Sequence, residues 1–464
     1  MPIRSSVLAM SACLYAALLV GCADGGSSGT HPAGSVPIAP QGAVAGAQGS
    51  AGRSAHSGGR RTLSVHPTCS GVGTNAFVGG GLGNVAGGLD SFVGAGQSSQ
   101  ACDAYSGIAS GFENTVANSA TSYGNGFIGG GEYNVVTGND TDSAVVAGES
   151  NEVSNAESAI VAGETNSVAA QYALVGGGES NTLSANGQYG VIAGGNQNKL
   201  SSEYGFIGAG TNNTVSGEGG YIAAGGYNTA SGTGAVVDGG FNSTAAGTFA
   251  TIPGGYVNSA AGTYSFAAGA RASAAQTGTF VWSDGSDGDT ILTSSGAYQF
   301  LARASGGFTL YTNAGSTVGA QLAAGSGTWA SLSDRNVKTN IVPLDDATVL
   351  DKVASLPISR WSYKSERGVR HVGPMAQDFY AAFGVGEDDK HITSIDEDGI
   401  ALAAIKALHG RLRAQEKSAR SAITTLRAEN ARLRVASVSQ AAKIAAVEAR
   451  LARLSAQMVA LRER

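Results

Sequence analysis

Three side chains suited to a self-cleavage reaction lie close together in the stretch SLSDRNVKTNI, residues 331–341. The hydroxyl of Ser333 is a weak nucleophile until a base removes its proton, and Lys338 can act as that base where burial disfavours its charged form. Attack on the carbonyl carbon of Leu332 forms a five-membered ring and gives an ester, which water then hydrolyses. Cleavage after Ser333 would need a strained four-membered ring. If the pair acts on its own backbone, ring size favours a cut between Leu332 and Ser333. The other interpretation is a linker whose charges are solvated.

The spacing of this pair limits its geometry. Residues five positions apart on a regular α-helix point about 140° away from each other. Ser333 and Lys338 must therefore meet through a turn, or Lys338 must act on a neighbouring subunit. The carboxylate of Asp334 is predicted either to hold Lys338 or to cap the following segment.

The composition changes sharply at this stretch. The chain has 71 glycines among 464 residues, about twice the usual share. Between Gly71 and Phe280 the only basic residues are Lys199 and Arg271, which argues against nucleic acid as a partner of this region. Apolar residues recur there at regular intervals, which favours a repeat architecture over disorder.

A repeat of about 15 residues runs through this region, and asparagines mark its period. They stand at Asn151, Asn166, Asn181, Asn198, Asn213, Asn228, Asn242 and Asn258. Each repeat has two short apolar runs with a glycine-rich turn between them, a pattern typical of strands. We therefore predict a mainly β fold, a parallel β-solenoid with two strands per coil, in which stacked asparagines form an internal ladder.

Two other interpretations of the repeats are disfavoured. Calcium-binding solenoids need regularly placed aspartates, and the aspartates here are few and irregular. A glycosidase needs a close pair of carboxylates, whereas Glu149, Glu164 and Glu179 recur at one phase of the repeat, as expected for a solvated stripe. We predict neither a metal site nor a cofactor.

The order of Gly-Gly, Asn, small residues and an aromatic residue, from about Asn75 to Phe280, resembles the head repeats of YadA-type trimeric adhesins. Proteins of that family build a rod from three chains. The resemblance implies a homotrimer that binds a host-surface or other extracellular ligand.

The segment after the rod is similar to the S74 peptidase family of intramolecular chaperones. The similarity runs from about Ser331 to Leu412 and rests on Ser-Asp-Arg-x-x-Lys, then GPMAQDF, then DGIALAAIKAL. It implies a domain that assembles as a trimer, helps the preceding stem to fold and then cuts itself off, with Ser333 and Lys338 as the catalytic pair. The alternative is a passive adhesin whose C-terminal cap stays attached.

The N-terminus has the features of an export signal. A basic residue, Arg4, precedes the apolar run 7–20, and Leu19-Val-Gly-Cys22 resembles a bacterial lipobox. We predict that Cys22 carries lipid and places the protein at the outer membrane or cell surface. If Cys69 and Cys102 lie two coils apart, about 10 Å separates them, which disfavours a disulfide.

The C-terminal tail has an apolar residue every three or four positions, from Ile423 to Leu461, with polar residues Asn430, Ser437 and Gln440 in the middle. This heptad pattern predicts a coiled coil, and three strands would match the rod. The arginines and lysines at outer positions are then a solvated surface and no nucleic-acid site.

The sequence thus predicts six segments. They are a signal peptide (1–22), a flexible tether (23–70), solenoid repeats (71–280), a β-rich neck (281–332), an α/β chaperone domain (333–412) and a coiled coil (413–464).

Overall fold

The computed structural model of the chain describes residues 69–117, 124–137 and 142–463. The predicted signal peptide, the lipid attachment at Cys22 and nearly all of the tether lie outside the described residues.

Two long parallel sheets form a β-solenoid, as predicted, and each coil contributes one short strand to each sheet. Neighbouring strands of a sheet are in strict register, so Glu152 pairs with Ser167 and Ser167 with Thr182. Sheet A consists of Phe77–Val78, Phe92–Val93, Gly107–Ile108, Phe127–Ile128, Ala144–Val145, Ala159–Ile160, Leu174–Val175, Val191–Ile192, Phe206–Ile207, Tyr221–Ile222, Val236–Val237, Thr251–Ile252, Phe266–Ala270, Phe280–Asp284 and Phe300–Arg303.

Sheet B faces sheet A across the coil. It consists of Val85–Ala86, Gln100–Ala101, Thr115–Val116, Val135–Val136, Glu152–Val153, Ser167–Val168, Thr182–Leu183, Lys199–Leu200, Thr214–Val215, Thr229–Ala230, Thr244–Ala245, Ser259–Ala260, Ala272–Ala274 and Leu292–Thr293. The parallel pairing therefore extends beyond Phe280, where the sequence repeat ends.

The core lies between the two sheets and follows from the alternation of side chains along each strand. The second residue of nearly every two-residue strand points inward, and residues such as Ile160, Leu183 and Ile207 are fully buried. The first residue of each strand points outward. Single coils bury little on their own, so the core exists only because coils stack.

An asparagine ladder closes one corner of the solenoid, as predicted. Asn166 donates its side-chain amide to the carbonyl of Gly178 in the next coil at 2.9 Å, and its side-chain oxygen accepts from the backbone N–H of Asn181 at 3.0 Å. One predicted member was wrong by one position. Ser243, and not Asn242, occupies the ladder, since Ser243 accepts from the backbone N–H of Asn258 at 3.2 Å.

A disulfide joins Cys69 and Cys102, with their Cα atoms 5.4 Å apart. The prediction that these cysteines lie too far apart was therefore wrong. The reason is that Cys69 does not lie two coils away from Cys102, as the prediction assumed. It lies over Gly87, where a Cβ would come within 2.6 Å of the Cys69 sulfur, and Gly87 is the residue one coil before Cys102 in register.

A small antiparallel sheet follows the solenoid. Sheet C consists of Gly307–Tyr311, Gly319–Ala323 and Trp329–Ser331. Its last strand leads directly into the Ser333 turn.

The C-terminal part combines three helices and a two-stranded sheet, as predicted for an α/β region. The helices are α1 (Asp346–Ser355), α2 (Ala376–Phe383) and α3 (Ser394–Arg462), and sheet D pairs Ser359–Trp361 with His371–Gly373. A small core of Val349, Phe379, Ile400, Ala403 and Ala404 joins all three helices. Within the described residues, no helix combines the length and apolar character needed to cross a membrane.

Candidate functional site

A single tight turn places the predicted catalytic residues. The backbone N–H of Leu332 donates to the carbonyl of Gly319 at 3.0 Å and is the last contact of the chain with sheet C. Immediately afterwards a 3-10 helix spans Arg335–Val337, and Lys338 follows it in extended conformation. The chain therefore turns back on itself between Ser333 and Lys338.

The turn brings the two side chains into direct contact. The Nζ atom of Lys338 lies 2.5 Å from the Oγ atom of Ser333. Of the two ways in which the sequence allowed the pair to meet, the structure shows the turn within one chain. In this contact the Lys338 side chain donates a hydrogen bond to the Ser333 hydroxyl oxygen.

Asp334 holds this turn and does not contact Lys338. Its carboxylate accepts hydrogen bonds from the backbone N–H of Asn336 at 2.9 Å and from the side-chain amide of Asn336 at 3.0 Å. No salt bridge between Asp334 and Lys338 occurs among the described residues. Of the two roles predicted for Asp334, the structure thus shows capping.

The sequence analysis missed Asn336, the partner of Asp334. The signal was present, because an Asp that precedes a polar residue by two positions commonly forms a side-chain-to-backbone turn. Both residues are exposed, as are Ser333 and Lys338. In the single chain, water therefore reaches the whole turn.

The helices behind the turn are tied together by ion pairs. Lys406 of α3 contacts Asp346 of α1 at 2.5 Å, and Arg411 contacts Asp351 at 2.7 Å. At the start of α1, Asp345 accepts from the hydroxyl of Thr348 and the backbone N–H of Ala347, and these contacts lower the pKa of its carboxyl group. The first part of α3 is thereby fixed against α1.

The side chain of His371 contacts Trp361 and Glu366. Its ring lies 4.7 Å from that of Trp361, and its Nε2 atom lies 3.0 Å from a carboxylate oxygen of Glu366. These contacts hold the two strands of sheet D and the loop between them.

The remaining predictions concern the rod. Glu149, Glu164 and Glu179 stack one above another at the same corner and are exposed, as expected for a solvated stripe. Within residues 69–117, 124–137 and 142–463, no group of three or more acidic, histidine or cysteine side chains could hold a metal ion.

The region around the turn matches a known protein family. Residues 333–384 match the Peptidase S74 family, described as the chaperone of endosialidase. The match begins at Ser333 and includes Lys338, α1, sheet D and α2. No curated protein matches the chain. The chain thus carries an S74 chaperone segment after a parallel β-solenoid, with sheet C between them in the sequence.

Proposed function

We propose that this protein is a trimeric, adhesin-like surface rod whose C-terminal segment directs the assembly of three chains and then releases itself. Release occurs by cleavage of the Leu332–Ser333 bond, with Ser333 as nucleophile and Lys338 as base. The observation that carries the proposal is the 2.5 Å contact between the Lys338 amine and the Ser333 hydroxyl, at the first residues of the S74 match.

The reaction runs in two steps. Neutral Lys338 takes the proton from the Ser333 hydroxyl as its oxygen attacks the carbonyl carbon of Leu332, and the bond from that carbon to the Ser333 nitrogen breaks as the nitrogen receives a proton. The product is an ester between the Leu332 acyl group and the Ser333 oxygen. Water then hydrolyses the ester, which leaves a carboxylate on Leu332 and a free amine on Ser333.

Assembly of three chains would bury Lys338, which is exposed in the single chain. A lysine is a better base where burial disfavours its ammonium form, but Lys338 is exposed in the single chain. Packing of three chains around the turn would exclude water from the pair. Cleavage would then follow assembly and release the chaperone only from a folded rod.

The surface of the rod supports self-association through sheet A. The outward residues of this sheet are largely apolar over its whole length, including Phe92, Phe127, Leu174, Phe206 and Tyr221. The outward residues of sheet B are mostly polar, including Thr115, Ser167, Thr182, Thr214 and Thr229. An apolar face opposite a polar one on the same rod is the pattern of an interface.

The long helix α3 supports the same association. Beyond its contact with α1, the helix leaves its heptad residues exposed, among them Leu426, Leu433, Leu451 and Leu454. A coiled coil buries such a seam. Local helix formation would set the register of three chains early, whereas each strand of the rod pairs with one about 15 residues away. The S74 segment and the coiled coil would thus align the rod.

Sequence features of the N-terminus and the rod support the proposed location and task. The lipobox-like Leu19-Val-Gly-Cys22 supports export and lipid anchoring at the outer membrane or cell surface. The similarity of the repeats to YadA-type heads supports adhesion to a host or other extracellular ligand. Both statements rest on sequence alone.

Cleavage is tested by expressing the full chain and two variants, Ser333→Ala and the matched control Ser331→Ala. Denaturing gels should show two fragments for the wild type and for Ser331→Ala, and one intact chain for Ser333→Ala. N-terminal sequencing of the smaller fragment should begin at Ser333. An intact wild-type chain would favour the alternative function, a passive trimeric adhesin with an uncleaved cap. Cleavage that persists in Ser333→Ala would point to an external protease.

A further inference from the structure

The turn that leads from each strand of sheet B to the next strand of sheet A forms a column of stacked positions, here called the aromatic corner. Its residues from Tyr172 onward are Tyr172, Tyr189, Tyr204, Gly219, Gly234, Phe249, Tyr264, Gly278 and Tyr298, all with positive φ. Backbone hydrogen bonds stack them in order. The N–H of Gly219 donates to the carbonyl of Glu203 at 2.9 Å, and the N–H of Gly234 donates to the carbonyl of Glu218 at 2.8 Å.

Aromatic side chains at this corner are costly for the backbone. Tyr204 has φ 54° and Phe249 has φ 54°, a left-handed conformation in which bulky residues are rare. Glycine adopts it freely, and Gly219 and Gly234 do so in the same column. The rings nevertheless stay on the surface, with Tyr204 58% and Phe249 53% exposed. The corner therefore presents exposed aromatic faces along the rod.

The column lacks rings at two successive positions, Gly219 and Gly234, and at the single position Gly278. Tyr189 and Tyr204 stack in parallel with ring centroids 5.2 Å apart, and Phe249 and Tyr264 do so at 5.7 Å. Between the two stacks, a Cβ built on Gly219 would meet nothing within 4 Å. Tyr204 and Phe249 are three coil steps apart, so the gap measures about 14 Å at roughly 4.8 Å per coil.

Both walls of this gap are ring faces. A Cβ on Gly234 would lie 2.6 Å from the ring of Phe249, so that ring leans over Gly234. Tyr204 stacks on Tyr189, so its opposite face is turned toward Gly219. The gap thus has an open tyrosine face on one side, a phenylalanine ring on the other and a floor of bare backbone.

Two glutamates are next to gap residues in the sequence. Glu203 immediately precedes Tyr204, and Glu218 immediately precedes Gly219. Among the described residues neither carboxylate takes part in an ion pair. The surrounding region from 71 to 280 has fourteen acidic residues and two basic ones. Its electrostatic field therefore favours a cationic ligand.

We propose that this gap binds the guanidinium group of an arginine in a basic peptide or protein partner. A planar cation stacks on the free face of Tyr204, and its fork of N–H donors matches the carboxylates of Glu203 and Glu218. This is a binding site on the rod, independent of cleavage at Ser333.

The test measures the binding of two labelled peptides of equal charge, tetra-arginine and tetra-lysine, to the purified protein at low salt. The arginine peptide should bind about tenfold more tightly, because only guanidinium combines ring stacking with a forked contact. Glu218→Gln should remove most of that difference. The matched control Glu164→Gln makes the same change at the opposite corner and should leave it intact.

A second variant fills the gap. Gly219→Tyr should fold normally, since tyrosine already occupies this corner at Tyr172, Tyr189 and Tyr204, and it should abolish the preference for arginine. Equal binding of both peptides, unchanged binding by Gly219→Tyr, or no binding at millimolar peptide would overturn the proposal. So would binding of a neutral oligosaccharide in place of the peptide, or an effect of Gly219→Tyr on sedimentation alone, which would place a second copy of the chain over the gap.

Discussion

The side-chain oxygen of Asn151 accepts two hydrogen bonds from Asn166, one from its backbone N–H at 3.1 Å and one from its side-chain amide at 3.0 Å. Both residues are almost completely buried. The side-chain oxygen thus satisfies the buried backbone N–H of Asn166, and a buried N–H without an acceptor is destabilising. The asparagines therefore supply the hydrogen bonds that couple one coil to the next.

Removal of one rung of this ladder should weaken the rod. Asn166→Ala leaves the N–H of Asn181 without its acceptor, and we expect a loss of about 2 kcal/mol in the free energy of unfolding, since a buried unsatisfied group costs roughly 1–3 kcal/mol. Thermal unfolding at fixed protein concentration measures it. Asn166→Ser is the control, because Ser99 accepts from Asn114 at the equivalent place. Equal losses for alanine and serine would contradict this role.

Two adjacent glycines should respond very differently to alanine. A Cβ on Gly195 would lie 2.2 Å from the carbonyl oxygen of Gly210, and its φ is +99°, whereas a Cβ on Gly194 would meet nothing within 4 Å. We expect Gly195→Ala to disrupt folding of the rod and Gly194→Ala to leave its melting temperature within about 2 °C of the wild type. The yield of soluble protein and circular dichroism measure both. Similar behaviour of the two variants would show that Gly195 does not lie this close to the carbonyl oxygen of Gly210.

The disulfide should stabilise the first coils. Cys69 and Cys102 are 33 residues apart, and closing a loop of that size contributes about 3–4 kcal/mol in the chain-entropy model. We expect Cys69→Ser to lower the temperature at which the N-terminal coils unfold. Reductant should lower the wild type to the same temperature and leave the variant unchanged. A wild type that is insensitive to reductant would show that the two cysteines do not pair.

Much of the rod could be predicted from sequence because its signals are local and repeated. Asn166 and Asn181 recur at a fixed phase, and every coil repeats the same two apolar runs. Positions at which the repeat is irregular were predicted less well. Ser243 replaces an asparagine in the ladder beside the conspicuous Asn242. Cys69 precedes the first complete coil, so no periodicity fixes its position.

The residues of the proposed cleavage site could be named from the sequence, but their geometry could not. The spacing of Ser333 and Lys338 excluded a regular helix and left two solutions open. Which of the two solutions occurs depends on the turn at Asp334. Two hydrogen bonds between Asp334 and Asn336 form that turn. Ser333 and Lys338 are exposed in the single chain, and burial of the pair in the proposed trimer would depend on neighbouring chains, which no local sequence pattern encodes.

Acid should loosen the junction between the solenoid and sheet C. Hydrogen bonds from the backbone N–H and the hydroxyl of Ser305 hold the pKa of Asp284 well below its usual range. The contact therefore stabilises the fold fully above about pH 4, where an unfolded aspartate is ionised, and is lost as pH falls toward the lower folded value. We expect Asp284→Asn to reduce the fall in melting temperature between pH 4 and pH 2. The control Asp378→Asn should retain it, and a profile unchanged by Asp284→Asn would contradict the assignment.

Cleavage should depend on assembly through the seam of α3. Leu433 belongs to the heptad seam, whereas Val438 is an exposed apolar residue outside it. We expect Leu433→Asp to prevent association, because a carboxylate in the seam must be desolvated, and therefore to slow cleavage at Ser333 at least tenfold. Val438→Asp makes a similar change outside the seam and should associate and cleave like the wild type.

Sedimentation gives the assembly state of each variant, and the fraction cut over time on denaturing gels gives the rate. In a mixed sample, fractions of different size can be assayed separately, and the cut chains should derive from the trimer. A monomeric Leu433→Asp chain that cuts itself as fast as the wild type would show that the contact between Lys338 and Ser333 suffices within one chain. Burial of Lys338 by neighbouring chains would then have no part in the reaction.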